Sequence, residues 1–192
     1  MFRSLCLAMV VLALVLGGCG TPSLHPLYSP ETETADPSVI GTWKGVDDKG
    51  PDTYTVSRDG SAYRLTIKNN DPAKPQRIDC EVHLLKLDNY RYADIFPMAK
   101  DRKQIDETWG PLFIPAHLIL RYEVAGDALK FWNLDLDWMK KSLSDKTPPL
   151  AAARFPADNI LITADTPAFQ RFVKSHADVP GVFRLSTMRR VK

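Results

Sequence analysis

Short segments in which apolar and polar residues alternate run through most of the chain after residue 38, and a period of two is that of a strand with one buried face. "TYTVSR" and "SAYRLTIK" flank Asp59-Gly60, and Asp-Gly between alternating runs is a strong hairpin signal. Tyr63, Leu65 and Ile67 would then share a face. Ile78, Cys80, Val82 and Leu84 repeat the pattern with Asp79, Glu81 and His83 opposite, and Asp88-Asn89 turns the chain into "YRYADIF". A second hairpin is predicted where Leu118, Leu120, Tyr122 and Val124 alternate, Ala125-Gly126-Asp127 turns, and "ALKFWNL" returns. With "NILIT" and "GVFRLS" the count reaches about nine strands at close spacing.

The period lengthens to that of a helix only twice. Asp135 is placed to cap a first helix carrying Leu136, Met139 and Leu143 on one side. Thr166 is placed to cap a second, with Pro167 at its first position and Phe169, Phe172, Val173 and His176 along one face. Many strands and two late, short helices predict a mainly β domain, an antiparallel barrel or strongly curved sheet. Residues 97–112 have no clear period and read as a functional or partly ordered loop. The closing "STMRRVK" reads as a short, solvated basic tail.

The N-terminus follows another rule. One positive charge, Arg3, precedes an unbroken apolar run from Leu5 to Leu16, too short for the roughly 20 residues of a membrane-spanning helix but suited to a secretory signal. Leu16-Gly17-Gly18-Cys19 ends it and resembles the lipobox of bacterial lipoproteins. The resemblance implies that residues 1–18 are removed, that the Cys19 thiol carries a diacylglyceryl group, and that its freed amine is acylated. Two or three acyl chains anchor a protein stably. Gly20, rather than Asp, follows Cys19, which by the same resemblance implies the outer membrane, facing the periplasm.

Residues 19–38 carry prolines at 22, 26, 30 and 37 and read as a semi-extended tether. At about 3.1 Å per residue it could hold a domain up to roughly 60 Å away, although Leu24-His25-Pro26-Leu27-Tyr28 has apolar surface enough to pack. Residues 39–192 are then one β-rich domain. The 25 basic residues lose Arg3 with the signal, leaving 24 against 23 acidic ones; no basic field for nucleic acid results. Cys6 leaves, Cys19 is consumed, and Cys80 is left without an intramolecular partner, so a disulfide scaffold is excluded.

Gly41-Thr42-Trp43 resembles the Gly-x-Trp motif that opens lipocalins, which implies a barrel whose floor Trp43 closes, with Arg184 as a candidate to stack on it. The second lipocalin signature, a Thr-Asp-Tyr-like turn, is absent. A broader likeness, to a class of uncharacterised bacterial lipoproteins, rests on Pro26-Leu27-Tyr28, the same Gly-Thr-Trp, Ile95-Phe96-Pro97, Pro115-Ala116-His117 and a Thr-led helix ending in His176. It implies a fold and a location, and no chemistry.

Enzyme signatures do not add to this. The chain has no Gly-x-Ser-x-Gly elbow, no His-Glu-x-x-His or Cys-x-x-Cys pair and no Gly-rich phosphate loop, so no catalytic residue, metal or cofactor beyond the acyl groups on Cys19 is expected. Glu81 with His83, and His117 with Glu123, lie opposite the apolar faces and read as solvent-side residues. His25 falls in the tether, and His176 suits a helix C-terminus. Asp127, Asp135 and Asp137 are spaced for turns and caps rather than for calcium. Tyr54, Tyr63, Tyr90, Tyr92, Phe131 and Trp132 all fall on strands, and a curved sheet encloses space. Trp43, Tyr63, Tyr92 and Tyr122 are the expected lining for a small apolar or amphipathic ligand. The alternative is an interaction module that offers its sheet or the 97–112 loop to an envelope protein.

Overall fold

Three two-residue hairpins set the architecture. Asp59 pairs with Ala62, Leu87 with Tyr90 and Ala125 with Ala128, leaving Gly60-Ser61, Asp88-Asn89 and Gly126-Asp127 as the loops. Gly60 at φ 63°, Asp88 at 52° and Gly126 at 58° supply the positive φ that such loops demand. The first loop therefore lies one residue beyond the Asp59-Gly60 pair expected from the sequence.

The computed structural model describes residues 20–46, 52–69, 76–98, 115–145, 148–155 and 159–191. Its strands are β1 (Gly41–Gly45), β2 (Thr53–Asp59), β3 (Ala62–Asn69), β4 (Gln76–Leu87), β5 (Tyr90–Pro97), β6 (Leu118–Ala125), β7 (Ala128–Leu134), β8 (Ala152–Phe155), β9 (Asn159–Ile162) and β10 (Phe183–Arg190). The first seven pair in sequence order, and β10 pairs with both β7 and β1, closing an eight-stranded antiparallel barrel. This is the antiparallel barrel with minor helix that the alternation predicts, lipocalin-like as the Gly-Thr-Trp resemblance implies. Helices α1 (Leu136–Ser142) and α2 (Thr166–His176), with the β8–β9 hairpin, are inserted between β7 and β10. Asp135 caps α1, accepting from the Trp138 N–H at 2.8 Å. Asp165, not Thr166, caps α2 through the Ala168 N–H; the Thr166 hydroxyl instead donates to the Pro26 carbonyl.

Two cores share the barrel wall. Inside lie Trp43, Tyr54, Tyr63, Leu65, Ile67, Cys80, Val82, Leu84, Tyr122, Phe131 and Met188 among others. Outside, Leu85, Leu87, Tyr92, Ile119 and Leu134 pack under Met139 of α1, Phe169, Phe172 and Val173 of α2, and Ile160 and Ile162 of β9. Adjacent apolar pairs such as Leu84-Leu85 and Ile119-Leu120 break the alternation because those strands are covered on both faces. The basic "STMRR" is no tail: it is the second half of β10, with Met188 buried in the barrel.

The proline-bearing segment is not detached either. From Gly20 to Ala35 it forms a strap along the barrel's outer wall. Ser23 exchanges two 2.8 Å backbone bonds with His117, while Leu24 donates to Ile162 O and Ile162 donates to Pro22 O, which ties β9 to the start of β6. Leu27 is fully buried beneath α2, and the Gln170 amide donates to its carbonyl. Further along, Thr34 donates to Leu84 O and Lys86 to Thr32 O. These cover the end of β4 that overhangs β3, so no free edge is left there to pair with another chain. Composition suggested a tether because prolines cannot donate; here their neighbours carry the bonds.

Candidate functional site

The barrel interior is the site the fold positions, and its lower end, where the three hairpin loops lie, is closed by a built cluster. A single 3-10 turn over Pro37–Val39 precedes β1 and lays Val39 across that end. Trp43 is fully buried, and its Nε1 donates to Val39 O at 2.9 Å. The Arg190 guanidinium lies over the indole, 4.2 Å from its centre, and donates to Ile40 O and Ser38 O at 2.6 and 2.9 Å. A cation over an indole face is favourable by about 0.5–2 kcal/mol. Gly41 has φ 146°, a backbone conformation that favours glycine, and a Cβ there would also displace the guanidinium that covers the tryptophan, since Arg190 Nη1 lies 2.2 Å from its position. The stacking partner is therefore Arg190; Arg184, the sequence candidate, is exposed at the other end of β10, paired with Asn133.

Asp36 holds this floor together. Its carboxylate accepts from Ser38 N–H and Oγ, from Arg91 at 3.0 Å and from the Tyr122 hydroxyl at 3.1 Å, while its own N–H donates to the Tyr63 hydroxyl at 2.9 Å. Burial resists its ionisation, but the bonds from Ser38 and Tyr122 and the charge of Arg91 outweigh it and hold the carboxyl below its usual value. Burial, then the Asp36 charge, pushes the Tyr122 hydroxyl far up. A lowered folded-state value means that the contribution of Asp36 is complete above the unfolded carboxylate pKa of about 4 and fades as pH falls through the lowered one. Asp36→Ala is thus expected to cost about 1–3 kcal/mol at neutral pH. The difference from the unsubstituted protein should shrink below about pH 4; urea unfolding across pH measures both.

Above the floor an apolar cavity of about 80 Å3 remains, lined by Trp43, Tyr54, Leu65, Val82, Ala93, Leu120, Tyr122, Phe131 and Met188 among others. Of the four residues expected to line a ligand site, Trp43 and Tyr122 line this cavity. Tyr63 belongs to the same core, with its hydroxyl turned to Asp36 and its ring beneath the Arg58 guanidinium, 4.9 Å away. Tyr92 lies on the opposite face of β5, in the outer core, because even-numbered residues of that strand point outward. Its hydroxyl is buried without a hydrogen-bond partner among the described residues, and burial pushes it up to about 12 against the pull of Arg121. Trp132 and Tyr90 also face out, with the Arg121 guanidinium 4.4 and 4.8 Å from their rings.

The strap gathers polar residues on the outer wall and covers two histidines expected on the solvent side, leaving His83 16% and His117 12% exposed, whereas Glu81 stays open to solvent. Asp94 is fully buried and accepts from the Leu27 N–H and from His117 Nδ1, both at 2.6 Å. His83 sits between Glu33 and Glu81 with its ring stacked on Tyr28, centroids 3.8 Å apart. No spacing in the chain announces either cluster, since Leu27 and Asp94 are 67 residues apart. A shallow surface groove of about 160 Å3 lies beside the second one, bounded by Glu33, Ser61, Tyr63 and His83. Among the described residues no three His, Cys, Asp or Glu side chains are placed to hold a metal ion. Leu16, Gly17, Gly18 and Cys19 lie outside the described residues, as does most of the 97–112 loop. The chain matches no protein-family model, no curated protein and no solved structure.

Proposed function

We propose that this is a non-enzymatic, lipid-anchored envelope protein, held through Cys19 at the periplasmic face of the outer membrane, whose barrel takes a small apolar group. The closed barrel with an apolar cavity between Trp43 and Tyr122 supports the reading. The cavity also limits the ligand: at about 80 Å3 it falls well below the roughly 300 Å3 at which pockets for drug-sized molecules begin. A short apolar molecule, or the apolar end of an amphipathic one, is the chemistry that fits. Among the described residues no helix is long and apolar enough to cross a membrane, and the reading assigns attachment to the acyl chains on Cys19.

Native mass spectrometry of residues 20–192 purified from the periplasm tests the ligand. A reproducible bound mass is expected, and Ala93→Leu, which fills the cavity from β5, should abolish it while leaving the circular dichroism unchanged. Cys19→Ser should release the full chain from carbonate-washed membranes. A bare protein would favour the second reading, a protein-binding module, for which the outer wall offers Leu185, 51% exposed and cross-strand from Trp132.

A further inference from the structure

We infer that the upper end of the barrel, opposite the hairpin loops and Trp43, is the face this protein turns to the bilayer; the inference rests on the anchor at Cys19 proposed above. Gly20, the residue next to that cysteine, is seated on the rim of this end. A Cβ on it would lie 2.7 Å from Leu118 Cδ1 and 3.6 Å from Asn133 Oδ1, two side chains that point inward from the upper ends of β6 and β7. Its bridge to Asp135 and the paired bonds between Ser23 and His117 hold it there. Consecutive Cα atoms are about 3.8 Å apart, so acyl chains carried by the residue before Gly20 would start near the barrel rim and not at the end of a free tether.

That geometry removes the freedom an extended linker would give. A strand of eight residues rising about 3.3 Å each and tilted about 40° puts the two ends of the barrel about 20 Å apart. One end meets lipid headgroups while the other stays clear of them. Strands β1, β3 and β5 end on the same side as Gly20, whereas the tight loops at Ser61 and Asn89 mark the distal end.

The test uses the full lipidated chain in phosphatidylethanolamine–phosphatidylglycerol vesicles doped with a nitroxide-headgroup lipid. An environment-sensitive fluorophore is placed, one site at a time, on Lys68→Cys or Arg184→Cys at the upper end and on Ser61→Cys or Asn89→Cys at the lower; all four positions are exposed. The buried Cys80 is left in place, and the chain without an added cysteine serves as the labelling blank. Quenching several-fold stronger at positions 68 and 184 than at 61 and 89 is expected. Equal or stronger quenching at the lower sites, or none anywhere in protein that floats with the vesicles, overturns the orientation while leaving the anchor intact. Protein that fails to float overturns the anchor, and the orientation with it.

Discussion

Trp43→Ala is expected to lower stability by about 3–5 kcal/mol, the range for removing a buried aromatic side chain, the largest effect of any single change in the barrel interior. The loss has three parts. The indole fills the floor at no exposure, its Nε1 leaves Val39 O unpaired, and Arg190 loses the ring it covers. For a chain of this size each kcal/mol corresponds to about 2–4 °C of melting temperature, so calorimetry reads the change easily. Trp43→Phe should recover much of the packing and none of the Val39 bond. Arg190→Ala should cost less, because its guanidinium is partly exposed and screening weakens what it contributes. An Arg190 variant as damaging as Trp43→Ala would mean that the floor is held from outside.

Asp94→Ala is the second large effect, and it acts on the opposite side of the wall. With the carboxylate gone, the Leu27 N–H and His117 Nδ1 lose their 2.6 Å acceptor inside a buried site, at about 1–3 kcal/mol for each donor left unpaired. Because those donors belong to the strap and to the start of β6, the damage should be local. Hydrogen exchange is expected to accelerate from residue 22 to residue 34 and to stay slow in β2, β3 and β10. Uniform acceleration would show that the strap and the barrel unfold as one unit.

Most of the barrel was legible in the sequence because its inner face obeys a period of two. Tyr63, Leu65 and Ile67, or Leu118, Leu120 and Tyr122, declare their common side without any knowledge of their neighbours. The helices were legible by the same logic, Asp135 included. Tyr92 was misplaced for a definite reason: in "YRYADIF" both faces are buried, so aromatic character no longer tells inside from outside, whereas Ala93 and Ile95, small and apolar, mark the inner face only once the register is known. Arg190 was missed because its partner Trp43 is 147 positions away in sequence, and a basic cluster at a C-terminus carries no sign of what it stacks on. The strap was read as a tether because proline content reports which backbone groups cannot donate and is silent about carbonyls; Pro22 and Pro26 serve the fold as acceptors.

The strap also fixes an order of events. Its bonds from Thr166 and Gln170 span 140 and 143 residues, and closing loops of that length is slow relative to forming hairpins between neighbouring strands. The residues made first therefore reach their places last, after β9 and α2 exist to receive them. During that interval the Leu27 side chain and the backbone groups that will bond Ile162, Thr166 and Gln170 stay open to water. Once α2 closes over Leu27 and Gln170 bonds its carbonyl, that exposure ends, so the strap is a latch that shuts only on a barrel whose late insertion is already in place.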